Sequence, residues 1–258
     1  MATATADSIR EFIPDSSGKD LSLAVLNRTR PEPIQNTLEK LFSGQPVAVE
    51  EADVPDEQDD TVVLLRGGEV VASSPLTELE ETILLVNSDL YITGAQSVTQ
   101  VRPPVVLREL TDEPFHLRGY PESNSEKMPL ILISRYVERL ALEQSGCILR
   151  SSFQRTSRVE DERGTYNVYA KVADSDTAVH MYGVPDWVPP REFGASLHGG
   201  YTDEYQHAWF VVCVDPDDET TDHAALVAYE TGPNEWVGTW TFDTDKTRRI
   251  NRYIERTL

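Results

Sequence analysis

The sequence predicts an α/β protein built from two packed lobes. Over the first 95 or so residues, apolar stretches with the period of a strand alternate with stretches of helical period, and the same alternation returns after residue 126. Between them lies a segment rich in proline and charge that follows neither period. We therefore assign an N-terminal α/β lobe to residues 1–101, a connector to 102–127 and a second lobe to 128–258.

The elements of the N-terminal lobe follow from short sequence signals. Prolines at the start and Gly44 beyond the end delimit one amphipathic helix, and the adjacent glycines Gly67 and Gly68 suit a two-residue hairpin turn. In chain order we expect a short helix at 7–13, a strand at 21–27, a helix at 31–42, a strand at 47–54, a hairpin at 61–73 and a helix that begins at 76.

The second lobe opens with the strongest helical pattern of the chain, at 126–146. Leu130, Ile133 and Val137 recur on one face, and Gly146 ends the helix. A near-continuous apolar run at 207–215 predicts a central strand that is covered on both faces. The other expected elements are a strand at 147–154, a helix at 160–174, a strand at 178–184, an irregular segment at 184–190, a hairpin at 223–242 and a last helix with Asp243 as its N-cap.

Charge is the most unusual property of the composition. The chain has 44 acidic and 23 basic residues, a net charge of −21, and only five of the basic residues are lysine. Such a surface argues against nucleic acid and against an anionic membrane as partners, because both attract basic proteins. Spread acidic charge with little lysine is typical of proteins that work in multimolar salt, where the self-repulsion is screened. We therefore predict a halophilic protein; an ordinary acidic protein remains the alternative.

The compartment is predicted from what the sequence lacks. It has no apolar run of about 18 residues, and its first residues do not combine the basic and apolar regions of a signal peptide. Cys147 and Cys213 are too few for a disulfide framework and lie in apolar surroundings. We expect a cytoplasmic protein.

The motifs of common catalytic sites are missing from the sequence. We find neither a phosphate-binding glycine loop nor a G-x-S-x-G nucleophile elbow, and the five histidines and two cysteines do not follow metal-ligand spacing. The sequence therefore nominates no catalytic residue and no metal ligand. It leaves any cofactor unknown.

Two predicted strands and one predicted helix carry the candidate binding residues. Side chains alternate along a strand, so Phe153 and Gln154 point to opposite faces, whereas His180 and Tyr182 share one face. A buried amide such as Gln154 must find partners, which often makes it a binding element. Core packing and ordinary strand surface are the competing explanation for all of these residues.

The same region resembles the DICT domain family, in particular stand-alone haloarchaeal members. The resemblance covers 120–258 and extends loosely into the N-terminal lobe. Its motifs are a helix with a Ser-Arg pair, a Phe-Gln strand, a helix with a tyrosine and a strand ending in Tyr-Gly-x-Pro, which here are Ser134 and Arg135, Phe153 and Gln154, Tyr169 (or Tyr166), and Tyr182–Pro185.

The resemblance implies a sensory function and a C-terminal DICT-like lobe with a mixed sheet flanked by helices. Such a module would bind a small ligand or a protein partner, for example a histidine kinase or regulator, and pass on a conformational signal. The chain itself carries no kinase, receiver or cyclase motif. Two alternatives remain open: a scaffold for protein contacts that binds no ligand, and an enzyme of unrecognised type.

We expect the candidate residues to form the wall of one site. Gln154, His180 and Tyr182 would face a cavity between the strands and the helix at 129–145, beside packing residues Phe153 and Tyr169. Arg158 or Arg163, in the charged run RVEDER, would form ion pairs near the rim.

Overall fold

Two mixed β-sheets flanked by helices make up the protein, and this confirms the predicted α/β fold class. The computed structural model describes residues 6–16, 20–30, 32–55, 57–82, 102–118 and 128–258. One buried apolar cluster contains residues of both sheets, from Leu21 and Val62 in the first to Leu149 and Leu226 in the second. The two sheets therefore share a core.

The first sheet has four strands. Helix α1 (Glu32–Leu41) connects its one parallel pair and buries Leu38 and Leu41. Gly67 and Gly68 both have positive φ angles, 60° and 84°, in the turn of the hairpin, as their sequence predicts. The strands are β1 (Leu21–Leu26), β2 (Val47–Ala52), β3 (Thr61–Arg66) and β4 (Glu69–Pro75), and they lie in the order β2-β1-β3-β4.

The second sheet has seven strands. Its last two pairings are parallel and the others are antiparallel. The strands are β5 (Phe115–Arg118), β6 (Ile148–Arg155), β7 (Ala178–Val184), β8 (Ser196–Gly199), β9 (Ala208–Val214), β10 (Ala224–Gly232) and β11 (Glu235–Thr241). Their order is β5-β11-β10-β9-β6-β7-β8, and β7 is parallel to both β6 and β8. Strand β9 lies in the middle and is buried along nearly its whole length, as its apolar run predicts.

Helices cover both faces of the seven-stranded sheet. Helices α4 (Met128–Glu143) and α6 (Arg163–Ala173) pack on one face, which we call the α4 face. Helix α8 (Thr244–Thr257) and the 3₁₀ helix Ile9–Phe12 pack on the opposite, α8 face. The side chain of Asp243 accepts a hydrogen bond from the backbone N–H of Lys246 at 2.7 Å, so it caps α8 as predicted.

The shorter helices are α2 (76–82), α3 (Val105–Arg108), α5 (Ser157–Asp161) and α7 (Asp203–His207), with a second 3₁₀ helix at Arg191–Phe193. The single helix expected at 160–174 is instead the pair α5 and α6. Glu162 between them has an extended backbone, with φ −98° and ψ 94°, so the helical hydrogen bonds cannot continue through it. None of the helices in the described ranges is long and apolar enough to span a membrane.

The described part of the predicted connector contacts both sheets: a helix in it binds the first sheet, and a strand in it joins the second. Backbone N–H of Val106 in α3 donates to the hydroxyl of Ser74 in β4 at 3.3 Å. Strand β5 pairs with β11, and Phe115 stacks on Trp240 with 4.5 Å between ring centroids. The boundary between the lobes at 102–127 stays a prediction.

Candidate functional site

Strands β6 and β9 separate at one end and form a fork. Their regular pairing runs from Ile148 opposite Val214 to Ser151 opposite Val211 and then stops, although both strands continue. Beyond that point the hydroxyl of Ser152 donates to the carbonyl of Ala208 and accepts from the N–H of Phe210, each at 2.9 Å. A side chain therefore satisfies backbone groups that a ladder would otherwise pair.

Gln154 sits at a β-bulge inside this fork. Its φ of 56° lies in the left-handed region, and the register between β6 and β7 shifts between Ser152 and Arg155. A non-glycine residue in that region stores backbone strain of about 1–2 kcal/mol. The side-chain amide is buried and donates to the carbonyl of Ala208 at 2.8 Å. The bulge thus breaks the alternation of the strand and fixes where the amide points.

A cavity of about 540 Å³ opens at the fork on the α4 face. Its volume lies in the range typical of sites for small organic molecules. Phe153, Trp209 and Trp236 provide its large aromatic surfaces, and Leu117, Ile131 and Val211 add aliphatic ones. Polar side chains reach it from α4, β6, α5, α6 and the strands beyond β9.

Most charges around the cavity are already paired. Arg135 binds Glu138 at 2.7 Å, Arg155 binds Asp186 at 3.3 Å, and the imidazole of His207 contacts Glu230 at 2.8 Å. Arg158, on α5, is different because its guanidinium donates to the neutral side-chain oxygen of Gln154. Glu162 accepts a hydrogen bond from the hydroxyl of Thr165 at 3.0 Å.

Tyr169 closes the inner end of the cavity from α6. Its hydroxyl donates to the hydroxyl of Ser151 at 2.6 Å, and its ring makes an edge contact with Phe153 at 5.1 Å between centroids. Complete burial raises the pKa of Tyr169 well above its ordinary value, so the phenol stays neutral; its one O–H is donated to Ser151, and its oxygen can still accept a hydrogen bond.

His180 and Tyr182 lie on the other face of the sheet, in a polar cluster around Arg150. The guanidinium of Arg150 donates to Tyr182 Oη and to Asn251 Oδ1, both at 2.7 Å, and lies 3.3 Å from the carboxylate of Glu255 on α8. The ring of Tyr182 stacks on His198, whose Nε2 is 2.9 Å from Nδ1 of His180.

Burial in this cluster shifts the acid–base equilibria of its histidines. The pKa of His180 falls to about 4, first because burial disfavours the charged ring and then because Arg150 and His198 are close. The pKa of His198 is also lowered, again mainly by burial. Both rings are therefore neutral near pH 7. Among the described residues, no group of three or more His, Cys, Asp or Glu side chains could hold a metal ion.

The structure brings together three of the five predicted site residues and separates the other two from them. Phe153, Gln154 and Tyr169 line the cavity beside α4. His180 and Tyr182 do share a face, but it is the α8 face, so the expectation that they look into the same cavity is wrong. The physical reason is that alternation fixes which residues share a face but not which helix covers that face.

The expected rim ion pairs are not formed within the described ranges, either by Arg158 or by Arg163. The guanidinium of Arg158 instead donates to the side-chain oxygen of Gln154.

The sequence did not point to several residues of the cavity or to the centre of the α8-face cluster. Trp209 and Trp236 belong to strands far along the chain, and Arg150 looks like an ordinary strand residue until its three partners are seen. A buried arginine inside the apolar strand at 147–154 was the available signal, because charged side chains are almost never fully buried unless they are paired.

Comparisons with known proteins show one weak structural similarity and no family. No family model matches the chain, and no curated protein matches it either. A solved structure, that of polyphosphate kinase from Porphyromonas gingivalis, is similar with a TM-score of 0.39 and 14% identity. The likeness covers 63% of this chain and 26% of the kinase chain, so this chain spans about a quarter of the length of that protein.

These comparisons correct the functional prediction. The prediction of a sensory module that passes on a signal is wrong: the similar solved structure is that of a kinase, an enzyme. A TM-score of 0.39 is too low to carry the kinase's activity over to this chain. The resemblance to the DICT family stays a prediction.

Proposed function

We propose that the chain binds a small organic molecule in the cavity at the fork of β6 and β9. The observation that carries this proposal is the buried amide of Gln154, held in a strained backbone conformation beside the aromatic wall of Phe153, Trp209 and Trp236. Backbone strain persists where the surroundings enforce it, and such positions cluster at ligand sites.

The construction of the fork supports the same function. Ser152 and Gln154 satisfy the carbonyl of Ala208 with side chains, so the space between the strands stays open without leaving that backbone group unpaired. A ligand that enters would displace water from apolar surface and would not have to break a backbone ladder. Such a preformed site lowers the cost of ordering on binding.

Native mass spectrometry of the full chain, purified in multimolar KCl, tests the proposal. We expect a bound small molecule that dissociates on denaturation. Gln206 is exposed and lines the cavity, so Gln206→Trp should narrow the opening and reduce the bound fraction. Val188→Trp adds the same ring at a surface position 70% exposed and outside the cavity lining, and should leave the bound fraction unchanged. Equal occupancy in both variants would contradict the cavity as the site.

We also propose that the protein is halophilic and works in a cytoplasm of high salt. The net charge of −21 and the two buried free thiols, Cys147 and Cys213, support this setting. Unfolding should set in as KCl is lowered well below 1 M, because the screening length grows from about 3 Å at 1 M to about 10 Å at 0.1 M. A melting temperature that does not change between low and multimolar KCl would refute it.

A further inference from the structure

Among the described residues, Arg158 is a cationic group of the cavity lining that forms no ion pair with an acid. Arg135, Arg155 and His207 each have a carboxylate partner there. Within the described ranges, by contrast, no carboxylate lies at ion-pair distance from Arg158. In a chain with nearly twice as many acidic as basic residues, such an arginine at a cavity is unexpected from composition alone.

Glu162 does not take the place of that partner. Its carboxylate accepts a hydrogen bond from the hydroxyl of Thr165 and sits at the N-terminus of α6, where the helix dipole stabilises negative charge. Beside these paired charges, the described lining therefore includes an anionic group stabilised by a helix N-terminus, Glu162, and a cationic group with a neutral acceptor, Arg158.

Gln154 holds Arg158 in place without using up its donors. The amide nitrogen of Gln154 is fixed by the carbonyl of Ala208, and the amide oxygen accepts one N–H of the guanidinium. A guanidinium carries five N–H donors in a rigid planar arrangement. No other hydrogen bond of Arg158 to a residue of the described ranges is formed, so most of this arrangement remains available at the rim.

The aromatic part of the cavity lining suits the apolar body of a ligand. Phe153, Trp209 and Trp236 offer flat ring surfaces, and planar or aromatic groups pack well against such rings. A ligand with an apolar body and a planar anion would match both kinds of group in the lining.

We infer that the ligand is an organic carboxylate, with its carboxylate bound by Arg158 and its apolar or aromatic body against the Phe153–Trp209–Trp236 wall. This inference rests on the proposed function of the cavity and assigns its ligand class. Arginine binds carboxylates through two parallel hydrogen bonds, which fix orientation as well as affinity. Gln154 is the positioning residue for that contact, and the strained bulge sets its direction.

Two probes of matched shape test the inference on the full chain in multimolar KCl. They are 2-naphthylacetate and its neutral amide, 2-naphthylacetamide, and ligand-observed NMR measures the affinity of each. We expect the carboxylate to bind at least about fivefold tighter than the amide, because charge-assisted hydrogen bonds are the stronger ones. Arg158→Gln should abolish this preference and leave the affinity for the amide nearly unchanged.

Two further variants make the result specific. Arg163→Gln removes the same charge from the same charged run but lies outside the cavity lining, and it should keep the preference. Arg158→Lys keeps the charge but not the planar set of donors, so it should retain part of the preference for the carboxylate. This variant also tests the inference if Arg158→Gln fails to fold.

Each contrary result has a distinct meaning. Equal affinity of the two probes for the natural protein overturns the carboxylate assignment and leaves the cavity as a binding site for a neutral molecule. A preference that survives Arg158→Gln overturns the role of Arg158. If neither probe binds, the inference fails, and the bound molecule found by native mass spectrometry decides the proposed function separately.

Discussion

The two faces of the seven-stranded sheet use polar side chains in opposite ways. On the α8 face, Arg150 is 3% exposed and its guanidinium meets Tyr182, Asn251 and Glu255. On the α4 face, the amide of Gln154 and the guanidinium of Arg158 border an open cavity. Strand β6 contributes to both arrangements, so the difference arises within eight residues of one strand.

This difference separates groups that serve folding from groups that are available to a ligand. In a buried polar cluster, the members satisfy one another's hydrogen bonds. Such a cluster stabilises one packing arrangement and leaves few donors or acceptors for a ligand. A polar group that is fixed in place but has donors left over beside a cavity can bind something from outside. The contrast predicts that stability should depend mainly on the α8 face and ligand binding mainly on the α4 face.

Arg150 should show the largest effect on stability. Arg150→Ala leaves Tyr182 Oη and Asn251 Oδ1 without their donor inside the protein, and we expect a loss of about 3 kcal/mol or more in the free energy of unfolding. Arg155→Ala, on the same strand but with a side chain 64% exposed, should cost less than about 1 kcal/mol. Chemical denaturation in high salt measures both. Similar losses for the two variants would mean that the α8 cluster does not hold the fold.

Two tyrosines allow the same small change on each face. Tyr182→Phe removes a hydroxyl that accepts from a buried charge, and should cost about 2 kcal/mol. Tyr169→Phe removes a hydroxyl bonded to the neutral hydroxyl of Ser151, and should cost about 1 kcal/mol. Thermal melts of the two variants provide the ranking. The reverse order would show that the α4 face is the more tightly coupled one.

Gln154 can be tested for strain by comparing two truncations. Gln154→Ala and Gln154→Gly remove the same hydrogen bonds, but only glycine is relaxed at a φ of 56°. We expect the glycine variant to be the more stable by about 1 kcal/mol. The same pair at Arg155, whose φ is not positive, should rank alanine first. If alanine ranks first at both positions, the strain at the bulge is not real.

Lowering the pH should destabilise the α8 face through protonation of His180. We expect this to be the smallest of these effects on stability. Its folded pKa of about 4 lies below its ordinary value of 6.5, so the unfolded chain takes up the proton first. This contribution to stability is complete above pH 6.5 and is lost as the pH falls towards 4. Arg150, His198 and Glu255 are the charged or titratable groups that face it.

The measurement is the fall in melting temperature between pH 7 and pH 5. In His180→Gln this fall should be smaller than in the natural protein by about 2 °C. His116→Gln, at an exposed position in β5, serves as the control and should not change it. An unchanged fall in His180→Gln would show that protonation of this ring does not oppose folding.

Much of the fold could be predicted from local signals. Alternation located β6 and β7, the paired glycines located the β3–β4 turn, and Asp243 located the start of α8, because each depends on neighbours within a few residues. The break at Glu162 was missed because the residues around it favour a helix equally well on both sides.

The site was only partly predictable, for a physical reason. The pattern at 178–184 places His180 and Tyr182 on one face, but tertiary packing decides whether α4 or α8 covers that face. The bulge at Gln154 could not be read from the sequence either, since glutamine has no preference for the left-handed region. Trp209 and Trp236 come to the cavity only through strand pairing across most of the lobe.

The fork of β6 and β9 affects which amino-acid substitutions the protein can accept during evolution. A continuous ladder couples every residue of a strand to its neighbour's register, so an insertion or a bulkier side chain shifts many hydrogen bonds at once. Where Ser152 replaces the ladder, that coupling ends after Ser151. Residues beyond it remain paired with β7 and β10, but they can be exchanged without shifting the pairing of β6 with β9. The end of the sheet that borders the cavity is therefore the part of this fold in which a new binding preference can arise with the least damage to the rest.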